Sequence, residues 1–84
     1  MPNLYEVILR DGKRNTYYIH WRAKTHLQAA KDSLDYAAEN HITVTTVEVS
    51  TMTEPDAGRP GLVYVVNDTR TYQLVGKHRL QAVR

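Results

Sequence analysis

The chain contains no cysteine, which excludes disulfides, thiolate metal sites and a thiol nucleophile. It also lacks a long hydrophobic run. The longest one, LVYVV at residues 62–66, is far shorter than the roughly 20 residues that a helix needs to cross a bilayer. Near the N-terminus, Glu6 and Arg10 interrupt the apolar residues, so we expect no signal peptide. These absences predict a cytoplasmic protein with no membrane contact.

The size and composition of the chain are typical of one small folded domain. Its 84 residues are 42% hydrophobic and 24% charged, and no segment is repetitive or of low complexity. A chain of this length buries only roughly 60–65% of the surface that it exposes when unfolded. We therefore expect residues 1–84 to form a single domain of modest stability.

Charge is unevenly distributed along the chain, although the net charge is only +2. Residues 1–24 carry five basic and two acidic groups, residues 25–69 carry two basic and seven acidic groups, and residues 70–84 carry four basic groups and no acid. If the two ends are neighbours in space, the molecule has a basic side and an acidic side, which would orient it in the field of a partner. The alternative is that the basic turn and tail have no such role.

Two stretches near the N-terminus alternate between apolar and polar residues, LYEVILR at residues 4–10 and NTYYIHWRA at residues 15–23. Alternation with many aromatic and β-branched residues predicts strands that bury one face. Asp11-Gly12 lies between them and is a strong signal for a tight turn. The two stretches therefore form a hairpin, and the alternation places Trp21 in the core.

Residues 24–41 have the pattern of an amphipathic helix. Thr25 and Gln28 fit a capping box at its start, and Asn40-His41 ends it. His26 is expected to be a surface residue of the first turn. The predicted apolar stripe of this helix consists of Leu27, Ala30, Leu34, Ala37 and Ala38.

The second half of the chain predicts more strands. Residues 42–52 form a β-branched strand with a bulge or bend near Thr45 and Thr46, and residues 53–61 form a loop. Residues 62–66 and 71–75 form a second hairpin around a turn at 67–70, and the tail is either a short helix or a final strand. The fold class is thus α+β, a mainly antiparallel sheet with one helix packed on one face, in the order β-β-α-β-β-β.

The patterns that accompany catalysis are missing. No two histidines have metal-ligand spacing, no glycine-rich phosphate loop follows a strand, and neither serine lies in a nucleophile turn. Asp32, Asp35 and Glu39 share one helical face and could hold a cation, but such spacing is far more typical of a solvated face. The sequence predicts a protein that is not an enzyme and has no cofactor and no metal.

The predicted hairpin offers a candidate binding surface on its outer face. A tyrosine beside basic residues can stack a base and contact phosphate, and the same residue types are favoured at protein–protein interfaces. Two hypotheses therefore stay open: a protein-binding module, and direct nucleic-acid binding through residues 10–24 and a basic tail. The candidate residues are Arg10, Lys13, Arg14, Tyr18, His20 and Arg22 in the hairpin, with Lys77, Arg79 and Arg84 in the tail.

In size and element order the chain resembles small phage-encoded inhibitors, including several anti-CRISPR proteins. The resemblance rests on LYEVILR, YYIHWRA, the helix THLQAAKDSLDYAAEN and the strands that follow. It implies a phage or mobile-element protein without catalysis, which acts in the host cytoplasm by docking on a larger host protein or ribonucleoprotein complex.

Residues 4–49 also resemble the start of the small structural subunit of the phenylacetyl-coenzyme A epoxygenase complex. A homodimer through an exposed sheet edge, such as the last strand, is a third alternative.

Overall fold

The computed structural model of the protein describes residues 3–53, 65–76 and 79–83. These residues form five strands and one helix, which confirms the predicted α+β class and the order β-β-α-β-β-β. The elements are β1 (Asn3–Arg10), β2 (Thr16–Ala23), α1 (His26–Glu39), β3 (Thr46–Thr53), β4 (Val65–Val75) and β5 (Arg79–Val83).

All five strands belong to one antiparallel sheet with the order β2-β1-β3-β4-β5. Strands β2 and β3 both run antiparallel to β1, so they point in the same direction on either side of it. The connection between them must therefore return along the length of the sheet. Helix α1 makes this return and packs mainly on β1, β2 and β3.

The predicted first hairpin is present, and its turn is built by Asp11 and Gly12. The Asp11 carboxylate accepts hydrogen bonds from the N–H groups of Lys13 (2.8 Å) and Asn15 (3.2 Å). Gly12 has φ +80°, and a Cβ there would lie 3.1 Å from the Thr45 side chain. This conformation favours glycine both for its backbone angle and for the lack of space.

Both ends of α1 follow local signals in the sequence. The Thr25 hydroxyl accepts from the N–H of Gln28 at 3.1 Å, as predicted, but the Gln28 side chain donates to Asp32 instead of completing the capping box. At the other end His41 has φ +57°, and the N–H of Ile42 reaches the Ala37 carbonyl at 2.8 Å. This is the Schellman arrangement that stops a helix.

The core lies between α1 and one face of the sheet. Its best-buried side chains, Tyr5, Val7, Leu9, Val47 and Val49, are at most 2% exposed. On the helix, the prediction was right for Ala30 and Ala37 and wrong for Leu27 and Ala38, which are exposed, while Leu34 is half-buried. The helix is rotated so that its buried residues are His26, Ala29, Ala30, Ser33 and Ala37.

The three alanines and Ser33 are small, so they let the helix backbone approach the sheet closely, which explains the rotation. Ser33 satisfies its buried hydroxyl within the helix, donating to the Ala29 carbonyl at 2.7 Å. Trp21, which was predicted in the core, is only half-buried at the side of the helix. Its indole N–H donates there to the Asp32 carboxylate, the polar partner that a partly buried indole N–H requires.

The bulge or bend predicted near Thr45 and Thr46 is a bend at Thr45, just before β3 begins, and the Thr45 N–H bonds the Arg10 carbonyl at 2.8 Å. One prediction about the second half of the chain was wrong. The second hairpin around residues 67–70 is absent. Strand β4 runs through this stretch without turning, from Val65 to Val75.

The turn-forming pair Asn67-Asp68 is used for a bulge instead. Strand β3 pairs Val49 with Arg70 and Thr51 with Asn67, so β4 carries one extra residue there. Asp68 takes up the irregularity with φ +49°, a conformation that Asp tolerates better than most residues. Further along the chain β4 pairs with β5 in an antiparallel manner, so the tail forms a final strand.

The predicted loop at residues 54–61 and the first part of the predicted strand at 62–66 lie outside the described residues. Within the described ranges, α1 is too short and too polar to cross a bilayer.

Candidate binding surface

Strand register decides which side chains share a face of the sheet. Directly opposed residues lie on the same face, and β1 opposes β2 with Ile8 against Tyr18 and Glu6 against His20. These residues alternate with the core residues Val7 and Leu9 and therefore point away from α1. We call the sheet surface opposite α1 the open face; no helix packs on it in the part of the chain that the structure describes.

The structure brings four of the predicted site residues together on the open face, namely Arg10, Tyr18, His20 and Arg22. All four belong to the β1–β2 pair. Among the described residues, Tyr18 is the most exposed of the large hydrophobic side chains, at 67%. The half-buried Ile8 lies directly opposite, so the tyrosine ring stands beside an apolar patch in the middle of polar neighbours.

Two carboxylates lie among these side chains. Arg10 forms an ion pair with Glu48 of β3, and the His20 ring lies 4.0 Å from the carboxylate of Glu6. Pairs this exposed contribute little to stability. They do set the character of the surface, which has mixed charge around the Tyr18 ring instead of a continuous positive potential.

Lys13 and Arg14 lie in the exposed turn that joins β1 to β2. The same turn contains Asp11, whose pKa is held below its ordinary value by the Lys13 N–H and then by the Asn15 side-chain amide, which donates at 2.7 Å. The turn therefore combines two cations with a carboxylate that its own hydrogen bonds keep ionised.

Arg79, the described residue of the basic tail, is not adjacent to this hairpin. Arg79 starts β5, which lies three strand positions from β1 and four from β2, about 14 and 19 Å away at the usual strand spacing. Glu48, Thr71 and Gln73 lie on the strands in between. Lys77 and Arg84 fall outside the described residues.

His26 was predicted on the surface, and the structure corrects this. It is 6% exposed, and its ring packs against that of Tyr5 with the centroids 4.9 Å apart. Nε2 lies 2.8 Å from the Asp68 carbonyl, and since a carbonyl only accepts, Nε2 carries the proton. The histidine thus ties the start of α1 to the bulge in β4, a contact that no local sequence signal reveals.

The acidic face of α1 borders β2 instead of facing only solvent. The Trp21 indole donates to the Asp32 carboxylate at 3.0 Å. Together with Asp35, Tyr36 and Glu39 they line a shallow groove of about 190 Å³. Sequence reasoning had separated these residues, because Trp21 was assigned to the core and the carboxylates to a solvated helix face.

A larger groove of about 390 Å³ lies between the C-terminal half of α1 and strand β4. Its walls include Leu34, Ile42, Val44 and Leu74, so it is mainly apolar. It forms because one helix is too narrow to cover five strands.

Over the described ranges, no three His, Asp or Glu side chains are grouped closely enough to hold a metal ion. Comparison of the chain with protein-family models, with curated proteins and with solved structures gave no match.

Proposed function

We propose that the protein is a small non-enzymatic binding module, and that the open face of β1 and β2 contacts a larger protein or ribonucleoprotein. The observation that carries this proposal is the position of Glu6 and Glu48 beside the basic residues Arg10 and His20 of this face. A surface that contacts phosphates gains from cations and loses from carboxylates beside them. A protein surface can match both signs, and exposed tyrosine and arginine are frequent anchors in protein interfaces.

A more specific form of the proposal follows from the resemblance to phage-encoded inhibitors. In this form the protein acts in the host cytoplasm and blocks a nucleic-acid-handling complex, such as a CRISPR-type defence complex. The fold class and small size are compatible with it. Its direct test is co-expression: phage plating on a host that carries such a complex should recover with the wild-type protein and fall again with Tyr18→Ala.

The binding proposal itself is tested by quantitative affinity capture from the host lysate after nuclease treatment. We compare the wild type with Tyr18→Ala and Arg22→Glu on the open face. Tyr36→Ala is the matched control, because Tyr36 is also an exposed tyrosine but lies on α1. A partner that the wild type and the control retain, and that both open-face variants lose by roughly tenfold or more, supports the proposal. Equal capture by all four proteins contradicts it.

Direct nucleic-acid binding is the second candidate function, and the exposed turn favours it. Lys13 and Arg14 extend from the end of the hairpin next to Arg10. Fluorescence anisotropy with labelled single-stranded and duplex DNA and RNA tests this at about 50 and 200 mM salt. A tenfold or larger loss of affinity between the two salt concentrations would indicate several phosphate contacts. Lys13→Glu should then remove this salt dependence. An affinity that is independent of salt would exclude such phosphate contacts.

A further inference from the structure

Strand β2 is a sheet edge of unusual composition. It is the terminal strand on its side, and only β1 pairs with it among the described strands. Its eight residues, TYYIHWRA, include no proline, no lysine and no acid, and their one arginine is Arg22. Natural proteins protect long edge strands with proline or charged residues, above all lysine, with bulges or by shortening the strand. The opposite edge is the shorter one, since β5 has five residues.

The hydrogen bond from the Asp11 N–H to the Asn15 carbonyl (3.4 Å) fixes which main-chain groups of β2 face outward. Hydrogen-bonded pairs recur at every second residue of an antiparallel ladder, so Tyr17, Ile19 and Trp21 direct their main-chain groups toward β1. The intervening residues direct theirs to the outer edge. These outward residues are Thr16, Tyr18, His20 and Arg22.

We infer that two copies of the chain pair through this edge, with their β2 strands antiparallel and Ile19 of each copy at the two-fold axis. The pairing would join the two sheets into one of ten strands. It is independent of the proposed function, because the open-face side chains stay on the open face. His20 and Arg22 have partners within the chain, and the pairing adds main-chain bonds to those contacts.

The register follows from the two-fold symmetry. Opposed residues must share a face, so only registers centred on a residue are allowed. Centring on Ile19 opposes Thr16 to Arg22 and Tyr18 to His20, which uses every outward-facing residue of the strand. Centring on His20 leaves Thr16 opposite Lys24, beyond the end of β2. Centring on Tyr18 leaves Arg22 opposite Arg14, before the start of β2.

The side chains match in the register centred on Ile19. On the helix side, Ile19 meets its own copy and Tyr17 meets Trp21, in the non-hydrogen-bonded positions where opposed side chains approach most closely. Tyr17 is 37% exposed and gains burial. Trp21 is already oriented by its hydrogen bond to Asp32, so less side-chain freedom is lost on association.

The first test is sedimentation of the wild-type protein from about 10 to 500 µM. Salt at about 150 mM screens Asp35 and Glu39, which both copies present beside the same edge. Reversible dimers within this range support the inference. A protein that stays monomeric over the whole concentration range overturns the inference. The edge of β2 would then be open to a strand of a different protein.

The second test reports the register. Since the chain has no cysteine, single substitutions can be oxidised without competing thiols. Ile19→Cys should form a disulfide between copies, because opposed Cα atoms in a non-hydrogen-bonded pair are about 4.5 Å apart. Tyr17→Cys should not, since each substituted position opposes Trp21. A dimer that cross-links at residue 18 or 20 instead overturns the proposed register.

A third test avoids the partly buried position 19. Thr16 is exposed, and each copy places it opposite Arg22 of the other. Thr16→Glu should tighten the dimer and Thr16→Lys should weaken it, each by roughly fivefold, because the change occurs twice per dimer. Circular dichroism verifies that both variants are folded. Equal dimerisation of the two variants contradicts the pairing.

Discussion

The two faces of β1 differ although they alternate along the same eight residues. Toward α1, Val7 and Leu9 are completely buried; away from it, Glu6, Ile8 and Arg10 are only half-buried. The buried side depends on shape, since β-branched and small residues fill the space under the helix. The open side depends on charge and on one exposed ring. Stability and recognition can therefore be altered separately, by substitutions at neighbouring positions of one strand.

The sharpest test of this difference compares Leu9 with Ile8. Leu9→Ala creates a cavity under α1 and should lower the free energy of unfolding by about 2–5 kcal/mol. Ile8→Ala removes a side chain of similar size from the half-buried open face and should cost about 1 kcal/mol or less. Urea unfolding measures both. Similar losses would mean that the two faces are buried to a similar extent in solution.

A second prediction concerns His26, which extends the buried side as far as β4. His26→Ala leaves the Asp68 carbonyl without its donor and removes the contact with Tyr5, so we expect a loss of about 2 kcal/mol. His41→Asn is the control, because His41 is exposed and asparagine tolerates its positive φ. Thermal unfolding should separate the two variants clearly; equal midpoints would place His26 at the surface.

The smallest effect is expected at the turn where the two faces of the hairpin end. The pKa of Asp11 is lower in the folded chain than in the unfolded one, so its contribution to stability is complete above the unfolded pKa. It is lost as the pH falls through the folded pKa. Asp11→Asn should therefore lower stability above the unfolded pKa and leave it nearly unchanged below the folded pKa, which flattens the acid limb of the stability curve. A parallel shift of the whole curve would argue against titration of Asp11.

Much of this architecture could be predicted because its signals are local. Alternation identified β1 and β2, Asp11-Gly12 identified their turn, and Thr25 identified the start of α1. The turn predicted at Asn67-Asp68 was wrong for a physical reason, because a residue with positive φ occurs in a turn and in a bulge equally well. Only the pairing of β4 with β3 determines which of the two occurs.

The candidate surface was likewise predictable only where its signals are local. Alternation is enough to place Arg10, Tyr18, His20 and Arg22 on one face of a hairpin. It cannot reveal that Glu48 joins them, because that depends on β3 lying beside β1. The burial of His26 has the same origin, since its partner Asp68 belongs to a distant part of the sequence.

The position of β1 between β2 and β3 also governs how the chain assembles during synthesis. The pairing of β1 with β2 needs only a short turn, whereas Tyr5 meets Thr51 only after the whole of α1 has been made. Until then one side of β1 has unpaired main-chain groups, and closing the longer loop adds an entropic cost. The helix segment thus separates in time the two pairing events of β1, first with β2 and then with β3.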